Sequence, residues 1–224
     1  MLAMRTPSPD LTVAAQDYLK AIYVLESSEE RVTTSALAHR MGVSAPSATA
    51  MTKRLDELGL VERLPYRGVA LTEEGRRGAL EVLRHHRLLE RYLVDRLGLS
   101  LDEVHAEAEL LEHALSEELE AKIDAELGFP THDPHGDPIP DRELRLVHGE
   151  SRSLLDLEPG ARGAIARVPD GDSELLRYLG ELGLVPDASV EMLAQAPFGG
   201  PVTVRTESGE HAISRELADR IAAA

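Results

Sequence analysis

Apolar positions near the start of the chain recur in short helical stripes. Thr12 can cap a first helix in which Ala15, Tyr18, Leu19, Ile22 and Leu25 share one face. After a polar break at 27–31, Thr33 caps a short helix through Ala36, Leu37, Ala38 and Met41, which Gly42 stops. Ser44 caps a third helix with Pro46 in its first turn, where a missing N–H costs little. Met51, Leu55 and Leu58 carry that helix to Gly59. The runs 60–64 (LVERL) and 69–72 (VALT), on either side of the turn 65–68, predict two short strands.

Longer periods follow. One helix is expected from about 72 to 97, and another from Ser100, boxed by Glu103, to about 127. The segment 128–140 (GFPTHDPHGDPIP) holds four prolines and two glycines and must be irregular. Beyond 159 the runs 161–168, 189–194 and 202–206 read as strands around a short helix at 173–182. The expected fold is mainly α with a small β domain. Its parts are 1–74, a helical region at 75–140, a linker at 141–158 and a barrel-like domain at 159–224.

Composition narrows the chemistry. The absence of Cys excludes a disulfide framework, a zinc–thiolate site and a thiol nucleophile. No stretch resembles a signal peptide or could cross a bilayer, so a soluble, cytoplasmic protein without a membrane partner is expected. A net charge of −16 argues against nucleic acid, but its distribution does not. Residues 31–91 carry 11 basic and 7 acidic groups, whereas 92–150 carry 4 and 16. A basic island can still meet phosphates, because salt screens the rest beyond about 10 Å.

The island coincides with helix, glycine turn, helix and paired strands, the order of a winged helix-turn-helix. The second helix opens with small polar residues, so its N-terminus can approach DNA closely. Candidate DNA contacts are Ser44, Pro46, Ser47, Ala48, Thr49, Ala50, Thr52, Lys53 and Arg54, with Arg63 and Arg67 on the wing. Ser47, Ala48, Thr49 and Ala50 would meet bases, which favours hydroxyl, methyl and shape readout over bidentate pairing. A winged helix used for protein contact has the same pattern.

On the helix from Ser100, Val104, Ala108, Leu111, Leu115 and Leu119 form an expected buried stripe. His105, Glu109 and Glu112 form the neighbouring stripe, with His113 one turn beyond Glu109. His86 and Glu90 make an i, i+4 pair on the preceding helix, and Asp17 stands beside the stripe of the first. Mixed imidazole and carboxylate donors on packed helices suit a divalent cation. A solvated acidic face with incidental histidines is the plainer alternative.

With QDYLKAIY at 16–23, HHRLLE at 85–90, HAEAELLEH at 105–113 and DPHGDPIP at 133–140, the chain resembles the diphtheria toxin repressor and manganese transport regulator family. The resemblance implies a metal-dependent transcriptional regulator, a repressor acting as a homodimer on a palindromic operator of double-stranded DNA. It implies a helical dimerisation domain and a C-terminal barrel of the SH3-like (FeoA-like) type. A primary metal site would map to Asp17, Glu109, Glu112 and His113, with the Glu109 carbonyl as an extra ligand. An ancillary site would map to His86, Glu90 and His105, completed from the barrel by Asp172 or Glu174. Leu175 falls where iron-type members supply an amide ligand. Lys20 stands where the paired-metal arrangement of barrel-less manganese members needs a Glu, which favours two separate sites.

Iron-type members place soft Met and Cys ligands where this chain has Asp17 and Glu109. The harder oxygen-rich set suits Mn²⁺, with Fe²⁺ as the alternative. Repression of metal-uptake genes is the expected output, with no enzymatic activity and no small organic substrate. Two rivals stand beside it: a di-metal enzyme, and a winged-helix regulator sensing an organic ligand. Against the enzyme, the metal helices contain no Glu-x-x-His pair.

Overall fold

The computed structural model describes residues 11–28, 31–64, 68–147, 149 and 151–224. The chain divides into two compact units, Met1–His85 with Pro140–Arg145, and His86–Ile139 with Leu146–Ala224.

The first unit opens with α1 (Val13–Ser28), α2 (Thr34–Arg40) and α3 (Ala45–Glu57). Thr33 and Ser44 cap α2 and α3 as expected, accepting hydrogen bonds from the Ala36 and Ser47 amides. Strands β1 (Val61–Leu64) and β2 (Gly68–Leu71) pair antiparallel, with Val61 opposite Leu71 and Leu64 opposite Gly68. The core gathers Leu19, Ile22, Leu37, Ala48, Leu55, Val61 and Val69. Glu26 on α1 fixes the hairpin: one oxygen accepts the Leu71 amide at 2.8 Å. The other pairs at 2.6 Å with Arg76, on the first turns of α4 (Glu73–Leu97).

The second unit begins within α4. It continues through α5 (Leu101–Leu111), a 3₁₀ turn (Glu112–Ala114) and α6 (Glu117–Glu126). Leu88, Leu89, Ala108, Ile123 and Ile139 form its helical core. The single helix expected to about 127 is thus broken. Leu115 is extended, and Ser116 caps a new helix by accepting the Leu119 amide. The spacing of Leu111, Leu115 and Leu119 hides this break, because a four-residue rhythm runs straight across it. Val104 and Ala108 are buried as expected, whereas Leu111 and Leu119 are exposed.

The β domain is a six-stranded antiparallel sheet in the order β3-β8-β4-β5-β6-β7. Its strands are β3 (Arg152–Ser153), β4 (Arg162–Arg167), β5 (Ser189–Gln195), β6 (Val202–Thr206), β7 (Gly209–Ile213) and β8 (Ala222–Ala223). Helices α7 (Ser173–Glu181) and α8 (Arg215–Arg220) accompany it. Leu154, Leu157, Ile165, Leu179, Met192 and Ile221 fill its core with essentially no exposure. The stretch 141–158, read as linker, therefore contributes a strand and two core leucines.

Within this unit the β domain grips the helical part. Ser173 Oγ donates to the Asp102 carbonyl at 2.7 Å, and Arg177 pairs with Asp102 at 3.3 Å. The Val168 amide donates to the His135 carbonyl at 3.0 Å. Beside it Gly136 has φ +93, and a Cβ there would run into the Ala166 carbonyl oxygen. Gly136→Ala should therefore destabilise the protein by about 2 kcal/mol or more, combining left-handed strain with backbone collision. Thermal unfolding checks this; an unchanged Tm would show the loop free to move off β4.

Candidate metal centre

Helix spacing assembles the site. His86 and Glu90 lie one turn apart on α4, and His105 and Glu109 one turn apart on α5. His86 Nε2 is 2.9 Å from Glu90 Oε1, and His105 Nδ1 is 3.1 Å from the same oxygen. The two rings meet edge-on with centroids 4.8 Å apart. Glu109 Oε1 lies 3.9 Å from His105 Nε2. On its other side His86 Nδ1 stands 2.6 Å from Glu112 Oε2, while Glu112 Oε1 faces His113 Nε2 at 3.3 Å. Glu90 and Glu112 have no solvent exposure. Isolated charges there would be costly, so each must be paired or ligated.

The irregular segment 133–140 supplies donors that sequence reasoning did not assign. Asp133 Oδ1 accepts the amides of His135 and Asp137, both at 2.9 Å, and so shapes the loop. Its Oδ2 is buried without a hydrogen-bond partner, as are Glu90 Oε2 and His135 Nδ1. Donor atoms of Glu90, Asp133 and His135 lie within 4.8 Å of one another, as do those of His86, His105 and Glu109. Orphaned buried oxygens and an imidazole nitrogen converging on one point fit a divalent cation's hard donor set. The available signal was the close sequence alternation of Asp and His in DPHGDP; its prolines disguised it as mere loop.

Burial and neighbouring charge shift these groups strongly. Burial alone would raise Glu90, but hydrogen bonds from His105 and His86, with the His135 ring 3.7 Å away, outweigh it and hold the carboxylate well below its usual range. Burial, then the charges of Glu90 and Asp137, push Asp133 up to about 7. Burial works against a charged His135, yet the Glu90 carboxylate 3.7 Å from its Nδ1 and the charge of Asp133 push it up to about 9. Both raised groups hold their proton more tightly in the folded protein. Their stabilisation is present at low pH and is lost as pH rises through about 7 for Asp133 and about 9 for His135. Metal-free protein should accordingly lose about 2 kcal/mol between pH 7 and pH 9. Denaturant melts at the two pH values measure it, and equal stability would contradict the arrangement.

Asp17 lies half-buried on α1 of the first unit. Asp172 is the N-cap of α7, its Oδ1 accepting the Glu174 and Leu175 amides at 3.1 Å. Glu174 is exposed in the first turn. Among the described residues neither joins a cluster of close ligand atoms.

On the winged unit, Ser47, Thr49, Ala50, Lys53 and Arg54 line the exposed side of α3, behind Ser44 and Pro46. Arg63 is exposed on β1. Ala48 and Thr52 are corrections: both are buried, Ala48 within the core and Thr52 donating to the Thr49 carbonyl at 3.0 Å. Neither can reach a base edge from there. Arg67 lies outside the described residues.

Residues 10–69 match the N-terminal DNA binding domain of iron dependent repressors, and 72–141 their metal binding and dimerisation domain. Residues 152–223 match the FeoA domain. The iron-dependent repressor IdeR of Mycobacterium tuberculosis is 34% identical over 207 residues, covering 87% of this chain and 89% of its own. The diphtheria toxin repressor of Corynebacterium efficiens is 32% identical over 223 residues, covering 95% and 94%. The chain belongs to the diphtheria toxin repressor family.

Solved structures of metal-dependent repressors superpose on it. A manganese-dependent transcriptional repressor in complex with manganese superposes with TM-score 0.85 at 43% identity, covering 93% of this chain and 98% of that one. ScaR with bound Zn²⁺ superposes with TM-score 0.80 at 31% identity, covering 94% and 98%. Membership makes the chain a metal-dependent transcriptional regulator of the family's three-part plan: winged DNA-binding domain, helical metal and dimerisation domain, and SH3-like FeoA domain. Among the described residues no helix is long and apolar enough to cross a membrane.

Proposed function

We propose that this repressor responds to Mn²⁺ and binds a near-palindromic operator as a twofold dimer. The observation that carries the reading is the buried donor set itself. Every side chain in it offers oxygen or imidazole nitrogen, in a chain without cysteine. Hard donors of this kind suit Mn²⁺, with Fe²⁺ next, and the manganese-bound relative supports that order. A bound cation would add its charge to that of Arg87, 3.6 Å from Asp133 Oδ2, and of the His135 ring, and could displace the latter's proton.

Two ligand sets are proposed. Asp17, Glu109, Glu112 and His113 form the activating set. His86, Glu90 and His105 form the ancillary set, with Asp133 and His135 as the neighbouring donors in place of Asp172 and Glu174. The support for Asp133 and His135 is that their donor atoms lie within 4.8 Å of one from Glu90, although Asp133 Oδ2 also stands 3.6 Å from Arg87. Glu112 and His113 present one donor each, 3.3 Å apart, as two ligands of one ion do.

For DNA, the exposed N-terminal face of α3 meets bases through Ser47, Thr49 and Ala50, while Lys53, Arg54, Arg63 and Arg67 meet phosphates. Leu110, Leu111 and Leu119 are exposed on the dimerisation region, an apolar surface that suits a second copy of the chain. The chain acts by binding rather than catalysis, in the cytoplasm where its operator lies. Selectivity is tested by titrating chelated protein with Mn²⁺, anaerobic Fe²⁺ and Zn²⁺ while following DNA binding. Activation at the lowest free physiological concentration by Mn²⁺ supports the proposal; activation by Fe²⁺ alone reassigns the ion.

A further inference from the structure

His86 touches both ligand sets, and its two ring nitrogens do different work. Nε2 lies 2.9 Å from Glu90 Oε1 and 3.1 Å from His105 Nδ1, inside the ancillary set. Nδ1 lies 2.6 Å from Oε2 of Glu112, the activating carboxylate. The ring is almost wholly buried, so these partners are not exchanged for bulk water. We infer that His86 is a positioning residue for Glu112, and that through it the ancillary set prepares the activating set. This rests on the two-set metal reading above.

The argument is one of tautomers. A neutral imidazole carries one N–H. When Nε2 gives its lone pair to a cation beside Glu90 and His105, that hydrogen sits on Nδ1 and donates to Glu112 Oε2. The bond holds one oxygen of Glu112 and leaves Oε1 turned toward His113, where the structure places it. Glu112 is thereby oriented before its own ion arrives. This is the outer-sphere support that ligating carboxylates commonly need, and its loss typically weakens metal binding 10–100-fold. Since Glu112 is fully buried, an unsupported carboxylate could not be steadied by solvent instead. The coupling runs in both directions: an ordered Glu112 fixes the tautomer that presents Nε2 to the ancillary ion.

The test must separate support of Glu112 from ligation by His86. Mn²⁺ binding is measured by titration calorimetry in the full chain carrying Glu90→Gln, His105→Ala, Asp133→Asn and His135→Ala, which removes the other donors proposed for the ancillary set. Into that background go His86→Asn and His86→Leu. The Asn amide nitrogen stands near the place of Nδ1 and keeps a donor for Glu112; Leu keeps bulk alone. Expected is about 10–100-fold weaker binding with Leu and affinity close to the background with Asn. Equal affinity in all three proteins overturns the inference, as does Asn binding as weakly as Leu.

A second readout survives if that background does not fold. In the wild-type chain loaded with Zn²⁺, nitrogen NMR should show His86 Nδ1 protonated and hydrogen-bonded. An unprotonated Nδ1 overturns the inference. Failure of the wild-type chain to bind Mn²⁺ at all is a separate result, and it removes the two-set reading itself.

Discussion

Asp17→Ala should leave weak, metal-free DNA binding unchanged and remove its stimulation by Mn²⁺. Asp17 belongs to the helix that packs into the winged unit, with Ala15, Leu19 and Ile22 buried in that core. Glu112 and His113 belong to the helical metal region. In the proposed activating set one ion takes ligands from both parts of the chain, and Asp17 is the winged unit's contribution. Removing it deletes the link while sparing the fold, because Asp17 is only half-buried on the helix surface. A coupling of about 1–3 kcal/mol corresponds to about 5- to 150-fold in DNA affinity, and that factor is what the variant should lose. Anisotropy with and without Mn²⁺ reads it directly. Stimulation equal to wild type would exclude Asp17 from the switch.

Glu90→Gln should abolish most of the thermal stabilisation that Mn²⁺ gives the wild-type protein. An ion that binds only the folded state at 100 times its Kd stabilises by about 2.7 kcal/mol. For a chain of this size that is a rise of roughly 5–10 °C in Tm. Glu90 faces His86 and His105 through one oxygen and His135 through the other, at 2.9, 3.1 and 3.7 Å. No other carboxylate stands between the helical donors and the 133–140 loop in this way among the described residues. An amide keeps the shape but removes the charge that balances an ion. Differential scanning calorimetry checks the outcome: a variant that retains the full Mn²⁺ shift would mean that Glu90 is only a structural partner of three histidines.

Local chemistry made much of the fold legible. The hydroxyls of Thr33 and Ser44 cap helices where they stood before apolar periods, and Glu103 folds back on Ser100 at the start of α5. The charge reversal along the chain likewise separated the winged unit from the acidic metal region. Periodicity misled where it survived a backbone break, as at Leu115, and where small residues sit inside rather than on a working face, as at Ala48. The i, i+4 pairs on α4 and α5 were readable because a helix converts spacing into proximity. Asp133 and His135 were not, since only long-range packing brings a loop some forty residues downstream against Glu90. Asp172 shows the reverse limit: an acidic residue before a short helix serves equally as ligand or cap, and here it caps.

The central claim is that a divalent cation switches DNA binding on. It is tested most directly by fluorescence anisotropy at fixed salt, using DNA from the promoter neighbourhood of this chain's own gene, with chelated protein before and after Mn²⁺. The account predicts weak binding with chelator and binding at least tenfold tighter with Mn²⁺, within the range of about 5- to 150-fold expected of such couplings. Equal affinity in both conditions would contradict it, and would favour a winged-helix regulator that answers to some ligand other than metal.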